Sequence, residues 1–186
     1  MASFLKYLTA ALVCTALQAD DKTRDWTAEL RAGVFFPLSP RVQNTYGHGW
    51  IEGEAEYNYE FVRHWQVWGN AGYSFQDGHA HHHRAHIQII PVSTGLKYVF
   101  SSDKIRPYLG LGLCYTFLHL RNFGYYGQRV YKNRFGWVAK SGVYFDLPKH
   151  FLLDLFLDFY DQNTHFRHRP IHMRGFRAGL GLGCAF

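Results

Sequence analysis

Apolar and polar residues alternate along most of this chain. From Trp26 onward, Trp26, Ala28, Leu30, Ala32, Val34 and Phe36 are apolar, while Thr27, Glu29 and Arg31 between them are polar. A period of two marks an extended strand with two unlike faces, because successive side chains point to opposite sides. Ile51–Phe61 repeats it, with Ile51, Ala55, Tyr57, Tyr59 and Phe61 on one face and Glu52, Glu54, Glu56, Asn58 and Glu60 on the other. Carboxylates gathered on one face must meet water or partners.

Six further segments follow the same rule. Trp65–Phe75 sets Trp65, Val67, Ala71, Tyr73 and Phe75 on the apolar face, and Ile87–Phe100 sets Val92, Thr94, Leu96, Tyr98 and Phe100 opposite Lys97. Arg106–His119 carries Leu109, Leu111, Leu113, Tyr115 and Phe117 against Gly110 and Gly112, and Arg134–Phe145 carries Phe135, Trp137, Ala139, Val143 and Phe145 against Lys140 and Tyr144. In the seventh, Leu153, Leu155, Leu157 and Phe159 oppose Asp154 and Asp158. In the eighth, Phe176, Ala178, Leu180, Leu182, Cys184 and Phe186 oppose Arg177 and a series of glycines.

Eight antiparallel strands that cross a bilayer and close on themselves are joined alternately by long external loops and short internal turns. The connections here have that rhythm. Residues 39–49, 76–86, 121–133 and 161–172 read as long polar loops, and 62–64, 101–105 and 146–150 as tight turns. The rhythm places both termini on the periplasmic side.

A soluble barrel or sandwich also alternates, but it wears its charges outside. Here the strand Lys, Arg, Asp and Glu residues share the face that carries the glycines. The opposite face shows Leu109, Leu111, Leu113, Leu153, Leu155 and Leu157, which in water would drive aggregation. The sequence therefore predicts an all-β fold, an eight-stranded antiparallel up-and-down transmembrane barrel. Only closed barrels and helices satisfy the backbone within lipid.

The 186 residues suit one domain, and 18% of them are aromatic, an excess that suits a membrane surface. The only long apolar run is N-terminal: Lys6, the stretch from Tyr7 to Leu17, and Ala16 or Ala19 as the cleavage residue read as a signal peptide. Residues 1–19 are assigned to that signal, cut after Ala19, and residues 20–186 to the barrel. A lipoprotein signal on Cys14 is disfavoured by Val13, where a small residue is expected. Cys114 and Cys184 would then fall on the fifth and eighth strands, which are not neighbours, too far apart for a bridge.

Two stretches resemble a known family. Ile90-Pro91-Val92-Ser93-Thr94-Gly95-Leu96-Lys97-Tyr98-Val99-Phe100, followed by Arg106-Pro107-Tyr108-Leu109-Gly110-Leu111-Gly112-Leu113-Cys114-Tyr115, resembles the fourth and fifth strands of small outer-membrane barrels of the OmpW and OmpX/OmpA-barrel type. The ending Leu180-Gly181-Leu182-Gly183-Cys184-Ala185-Phe186 resembles the C-terminal aromatic signal of that group, and the resemblance implies recognition of Phe186 by the barrel-assembly machinery. It implies the fold, the outer membrane and the assembly route, but no activity.

An eight-stranded lumen is just wide enough to be filled by side chains. Glu52, Glu54, Glu56, Asp154 and Asp158 against Arg31, Lys97, Lys140 and Arg177 are expected to form an internal charge network. Such a network either plugs the barrel or carries ions or protons, and the plug is favoured because barrel lumens are polar whether or not they conduct.

Ten of the twelve histidines fall in or beside the expected external loops: His48, His79, His81, His82, His83, His86, His119, His165, His168 and His172. The tract His79, His81, His82, His83 and His86 offers imidazoles to a divalent transition metal, or charges as pH falls toward the ordinary histidine value of about 6.5. No metal is required by the fold, and no structural-zinc spacing or nearby thiolate is present. Arg84, Arg121, Arg129, Arg134, Arg167 and Arg169 make the same rim basic within a formal charge of +6. Lipopolysaccharide phosphates, outer-membrane lipids and host or neighbouring-cell surfaces are the expected partners. Nucleic acid is not, since no nucleic-acid fold signature appears.

Catalysis is not expected. No histidine is followed two residues later by serine, as lipid A deacylases of this fold require, and Asp20–Asp25 is too short for the amphipathic helix of the palmitoyltransferase type. The leading reading is an unspecialised structural barrel or a surface-interaction, adhesin-like protein. The alternative is a narrow channel for small solutes, which the resemblance suggests, which Pro91 would help by removing a ladder donor, and which needs an apolar lumen. The inward residues read as mostly charged or glycine, which weighs against it.

Overall fold

The computed structural model describes residues 25–40, 43–44, 47–80, 83–100, 105–122, 129–166 and 169–186, with 76–86, 120–132 and 163–173 described at most by their backbone. The alternation becomes eight strands: β1 (Trp26–Pro37), β2 (Trp50–Val62), β3 (Trp65–Ala80), β4 (His83–Val99), β5 (Ile105–Asn122), β6 (Arg129–Asp146), β7 (Phe151–Phe166) and β8 (Arg169–Ala185). Each pairs antiparallel with its neighbour, and β1 pairs with β8 to close the barrel. Closure runs to the last residue, where Trp26 and Phe186 exchange backbone N–H···O bonds of 3.1 and 2.9 Å. Closure leaves no edge strand, and in lipid an edge would leave backbone groups without partners.

The apolar face points outward. Ile51 is 77% exposed, Leu111 62% and Leu182 61%, whereas Glu54, Lys97, Asp158 and Arg177 are buried within the barrel. The exposed leucines form a band flanked by aromatic residues. Toward the termini these include Trp26, Tyr57, Trp65 and Phe100, and at the distal end Phe75, Phe117, Phe135 and Phe176. Amphipathic rings at both edges of an apolar band are what two membrane–water interfaces select.

Within three of the expected loops the described residues are strand. The β3–β4 ladder continues to Ala80↔His83, β5–β6 to Arg121↔Arg129, and β7–β8 to Phe166↔Arg169. Polar composition marks where a chain leaves hydrocarbon, and it says nothing about where the ladder stops, because backbone pairing goes on in water. A crossing strand needs about 9–11 residues, so β4 with 17 and β5 with 18 extend well past the band. The β1–β2 connection, expected as a loop, holds helical backbone: the Gln43 N–H donates to the Ser39 carbonyl at 3.0 Å and the Gly47 N–H to the Gln43 carbonyl at 2.8 Å.

The terminal end turns tightly. His64, Lys149 and His150 adopt positive φ of 74°, 63° and 65°, the left-handed conformation that a short hairpin turn demands. In β4, Pro91 sits mid-strand. The β3–β4 pairing reaches Ala71↔Val92 and resumes at Ser74↔Ile89, so it is interrupted where Gly72 and Tyr73 face Ile90 and Pro91. A Cβ at Gly72 would lie 2.9 Å from Pro91 Cγ, so glycine is needed opposite the proline ring.

Candidate functional site: the barrel lumen and its two mouths

Every second residue of the eight strands enters one narrow interior, and register decides who meets whom. Arg31 faces Glu54 across β1–β2, Lys140 faces Asp158 across β6–β7, and Asp158 faces Arg177 across β7–β8. Opposite charges are thus direct cross-strand neighbours before any side chain bends.

The ion pairs form one connected layer. Arg31 Nη1 donates to Glu54 Oε1 and Glu56 Oε2, each at 2.9 Å, and its Nε lies 3.0 Å from Asp154. Lys97 Nζ donates to Glu56 at 2.6 Å, Asn58 at 2.9 Å and the Tyr144 hydroxyl at 2.6 Å. Lys140 bonds Glu56 and reaches Glu54 at 3.3 Å. Arg177 bonds Glu54, Glu52 at 3.1 Å and Asp158 at 2.5 Å. These side chains are at most 6% exposed. Aromatic faces flank the cations: the Arg31 guanidinium sits 3.8 Å above Phe156, and Lys140 Nζ 4.3 Å from the Trp68 ring. A desolvated cation gains from such a face.

The layer brings together Glu52, Glu54, Glu56, Lys97, Lys140, Asp154, Asp158 and Arg177. It also recruits residues that sequence reasoning left out. Glu29 accepts from Asn58 at 2.7 Å and from the Tyr144 hydroxyl at 2.9 Å, and Tyr108 donates to Asp154 at 3.0 Å. The signal was present in Glu29, which shares its strand face with Arg31, and in Tyr108 and Tyr144, which share theirs with Gly110 and Lys140.

Beyond this layer a buried apolar cluster shares the distal lumen with the buried polar residues Ser74, Ser93, Thr116, Gln162 and Arg134. Phe35, Trp50, Trp68, Ile87, Ile89, Cys114, Leu118, Val138 and Tyr160 form one buried cluster, with Phe35 stacked on Trp50 at 5.1 Å. This corrects the expectation of an inward face made mostly of charge and glycine. Parity alone puts Phe35, Trp50 and Trp68 inside, since their neighbours Phe36, Ile51 and Val67 face out. Between the rings, Glu52, Ile89, Pro91 and Gln162 border a void of about 20 Å³, room for one water. Glycines let the rings in: a Cβ at Gly112 would lie 2.5 Å from Trp68 Cζ2. Toward the termini, Val99, Tyr108, Tyr144 and Leu152 form a second buried cluster.

The rim residues divide. Arg134, expected as a surface contact, instead faces inward and is 7% exposed, because alternation with the outward Phe135 turns position 134 toward the lumen. Of the other rim positions, His79, His83, His86, Arg84, Arg121, Arg129 and Arg169 have described backbone only, and His81, His82 and Arg167 lie outside the described residues. His79 pairs in register with Arg84, and Asp77 with His86. Among the described residues no cluster of His, Cys, Asp and Glu is arranged to hold a metal. Cys114 and Cys184 are both free and buried. The signal peptide assigned to residues 1–19 also lies outside the described residues.

A closed barrel with an apolar outer band and a charged interior defines an integral outer-membrane protein. The chain belongs to the outer membrane protein beta-barrel domain family, which it matches over residues 7–186. No curated protein matches it in sequence. Among solved structures it is similar to Neisserial surface protein A (NspA), at 14% identity and a TM-score of 0.62, covering 87% of this chain and 97% of that one. It is also similar to the Yersinia pestis attachment invasion locus protein Ail bound to the heparin analogue sucrose octasulfate (14%, 87% and 99%, TM-score 0.55). A third is Pseudomonas aeruginosa OprG (14%, 84% and 95%, TM-score 0.56). At these identities the likeness is one of fold.

Proposed function

We propose that this chain is a structural and surface-interaction barrel whose lumen is plugged and whose specific contacts are made by its distal, basic and histidine-rich hairpins. The observation that carries this reading is the buried ion-paired layer, closed on both sides by apolar clusters. A solute would have to break several desolvated ion pairs to pass, and removing one partner of such a pair costs about 3–5 kcal/mol. In this reading the termini are periplasmic and the hairpin tips face the cell exterior. Phe186 serves as the assembly signal, consistent with its place in the closing ladder.

Arg84, Arg121, Arg129, Arg167 and Arg169 supply forks for phosphate or sulfate oxygens. Lipopolysaccharide or a polyanionic host surface is the partner they fit, and a related fold, Ail, has been solved with a sulfated heparin analogue. His79, His81, His82, His83 and His86 add a contact for a divalent transition metal. No catalytic role is proposed. The test is binding of the refolded protein in phosphatidylcholine vesicles to immobilised heparin and to lipopolysaccharide. Replacing the five arginines by serine should leave the heat-modifiable barrel intact and weaken binding at least about tenfold, with strong salt dependence. Unchanged binding would contradict the reading.

A narrow passage for small apolar solutes is the second reading. It is favoured by the distal apolar cluster and by the interrupted β3–β4 pairing at Pro91, which together offer an apolar entrance beside a weakened seam.

A further inference from the structure

The terminal mouth of the barrel holds a second, smaller site. A cavity of about 110 Å³ opens there, lined by Glu60, Gln66, Arg106, Asp146, His150 and, as its floor, Leu152. Three buried polar atoms of its lining have no partner: Gln66 Oε1, Arg106 Nε and His150 Nδ1. Gln66 is only 6% exposed, and a buried acceptor left unpaired costs about 1–3 kcal/mol. Three such atoms on one cavity mark a place built to be filled by something polar.

The charges say what kind of group fits. Arg106 Nη2 donates to Asp146 at 2.6 Å, so that pair sums to zero. Among the described lining residues Glu60 carries the remaining charge. Its Oε1 accepts the His64 backbone N–H at 3.1 Å, and no described cation forms an ion pair with it. With its proton on Nε2, His150 presents Nδ1 as an acceptor. The wall therefore offers a carboxylate, an amide oxygen and an imidazole nitrogen, three acceptors around one negative charge. A primary ammonium has three donors and no acceptor. A metal ion fits less well, since the described residues hold no cluster of His, Cys, Asp and Glu arranged for one.

We propose that this cavity binds a primary ammonium group. Glu60 supplies the charge, Gln66 and His150 complete the acceptor set, and Arg106 Nε–H donates to an oxygen carried beside the amine. An ethanolamine-type group has that arrangement, either as a free small amine or as the headgroup of phosphatidylethanolamine. None of the charged residues of the ion-paired layer lines the site, which touches the cluster of Val99, Tyr108, Tyr144 and Leu152 through Leu152.

The test titrates ethanolamine into the refolded protein in phosphatidylcholine nanodiscs and follows the Gln66 side-chain amide and His150 ring resonances. Saturable shifts are expected. Tetramethylammonium, which has no N–H, and the E60Q variant should each weaken them by about tenfold or more. Q66E adds a second carboxylate and should tighten binding, a gain that a damaged fold would not produce. In nanodiscs containing phosphatidylethanolamine, shifts present before any titration identify the lipid headgroup as the ligand, and shifts that appear only on titration identify the free amine. No saturable shift in either disc, or an equal response to tetramethylammonium, would overturn the proposal.

Discussion

At the scale of single residues the lumen is a set of mutual obligations. Arg177 pairs with Glu52, Glu54 and Asp158, and Glu54 and Asp158 are shared with Arg31 and Lys140. Arg177→Met therefore leaves Glu52 without a described cation in a dry interior and should destabilise the barrel by about 3–5 kcal/mol. Urea unfolding in lipid vesicles, followed by tryptophan fluorescence, measures this, and a loss below about 1 kcal/mol would mean that water reaches the layer. Gly112→Val tests packing in the same way. Its side chain would enter the space of the Trp68 ring, and overpacking of this kind costs about 1–3 kcal/mol, read as a lower temperature of the gel-mobility shift. Much of this was legible in the sequence, because alternation fixes which residues face inward and opposite charges on inward faces must pair. Glu29 was legible as an inward residue beside Arg31 but its partners were not, since Asn58 and Tyr144 are neutral and no charge pattern points to them.

At the scale of elements the strands themselves are readable and their ends are not. Apolar alternation reports only the part of a strand inside lipid. The extensions of β3 to Ala80, of β5 to Asn122 and of β7 to Phe166 rest on backbone bonds that leave no mark on side-chain polarity. Arg134 was misplaced for a different reason: it opens the expected sixth strand beside the outward Phe135, so alternation already turned it inward, and its basic charge alone assigned it to the rim. Turn chemistry was equally silent: nothing in Lys149 or His150 announces the positive φ they adopt. Lys149→Gly should therefore stabilise the β6–β7 turn, by up to about 1 kcal/mol, since glycine enters that region without steric cost. A drop in stability would show that the lysine side chain does more than tolerate the turn. The seam at Pro91 makes a separate prediction: of the Gly72 and Tyr73 amides, the one that points toward β4 should exchange with solvent faster than the one that points toward β2, where pairing is continuous. Uniform protection along β3 would mean that the pairing is continuous.

At the scale of the whole molecule, the outer band and aromatic belts place the barrel in a membrane, and the interior decides what it does there. The sequence showed charge in the lumen but not its distribution along the axis, which sets an ion-paired layer between a distal apolar cluster and a smaller apolar floor. That order follows from which inward positions are aromatic on all eight strands at once, a sum over non-local registers that no single segment reveals. The most direct test of a closed lumen is electrical. Refolded protein, verified by its heat-dependent gel mobility, is inserted into a planar bilayer and the current recorded under an applied voltage. A plugged barrel predicts a silent membrane, and discrete, reproducible conductance steps from the unmodified protein would contradict it.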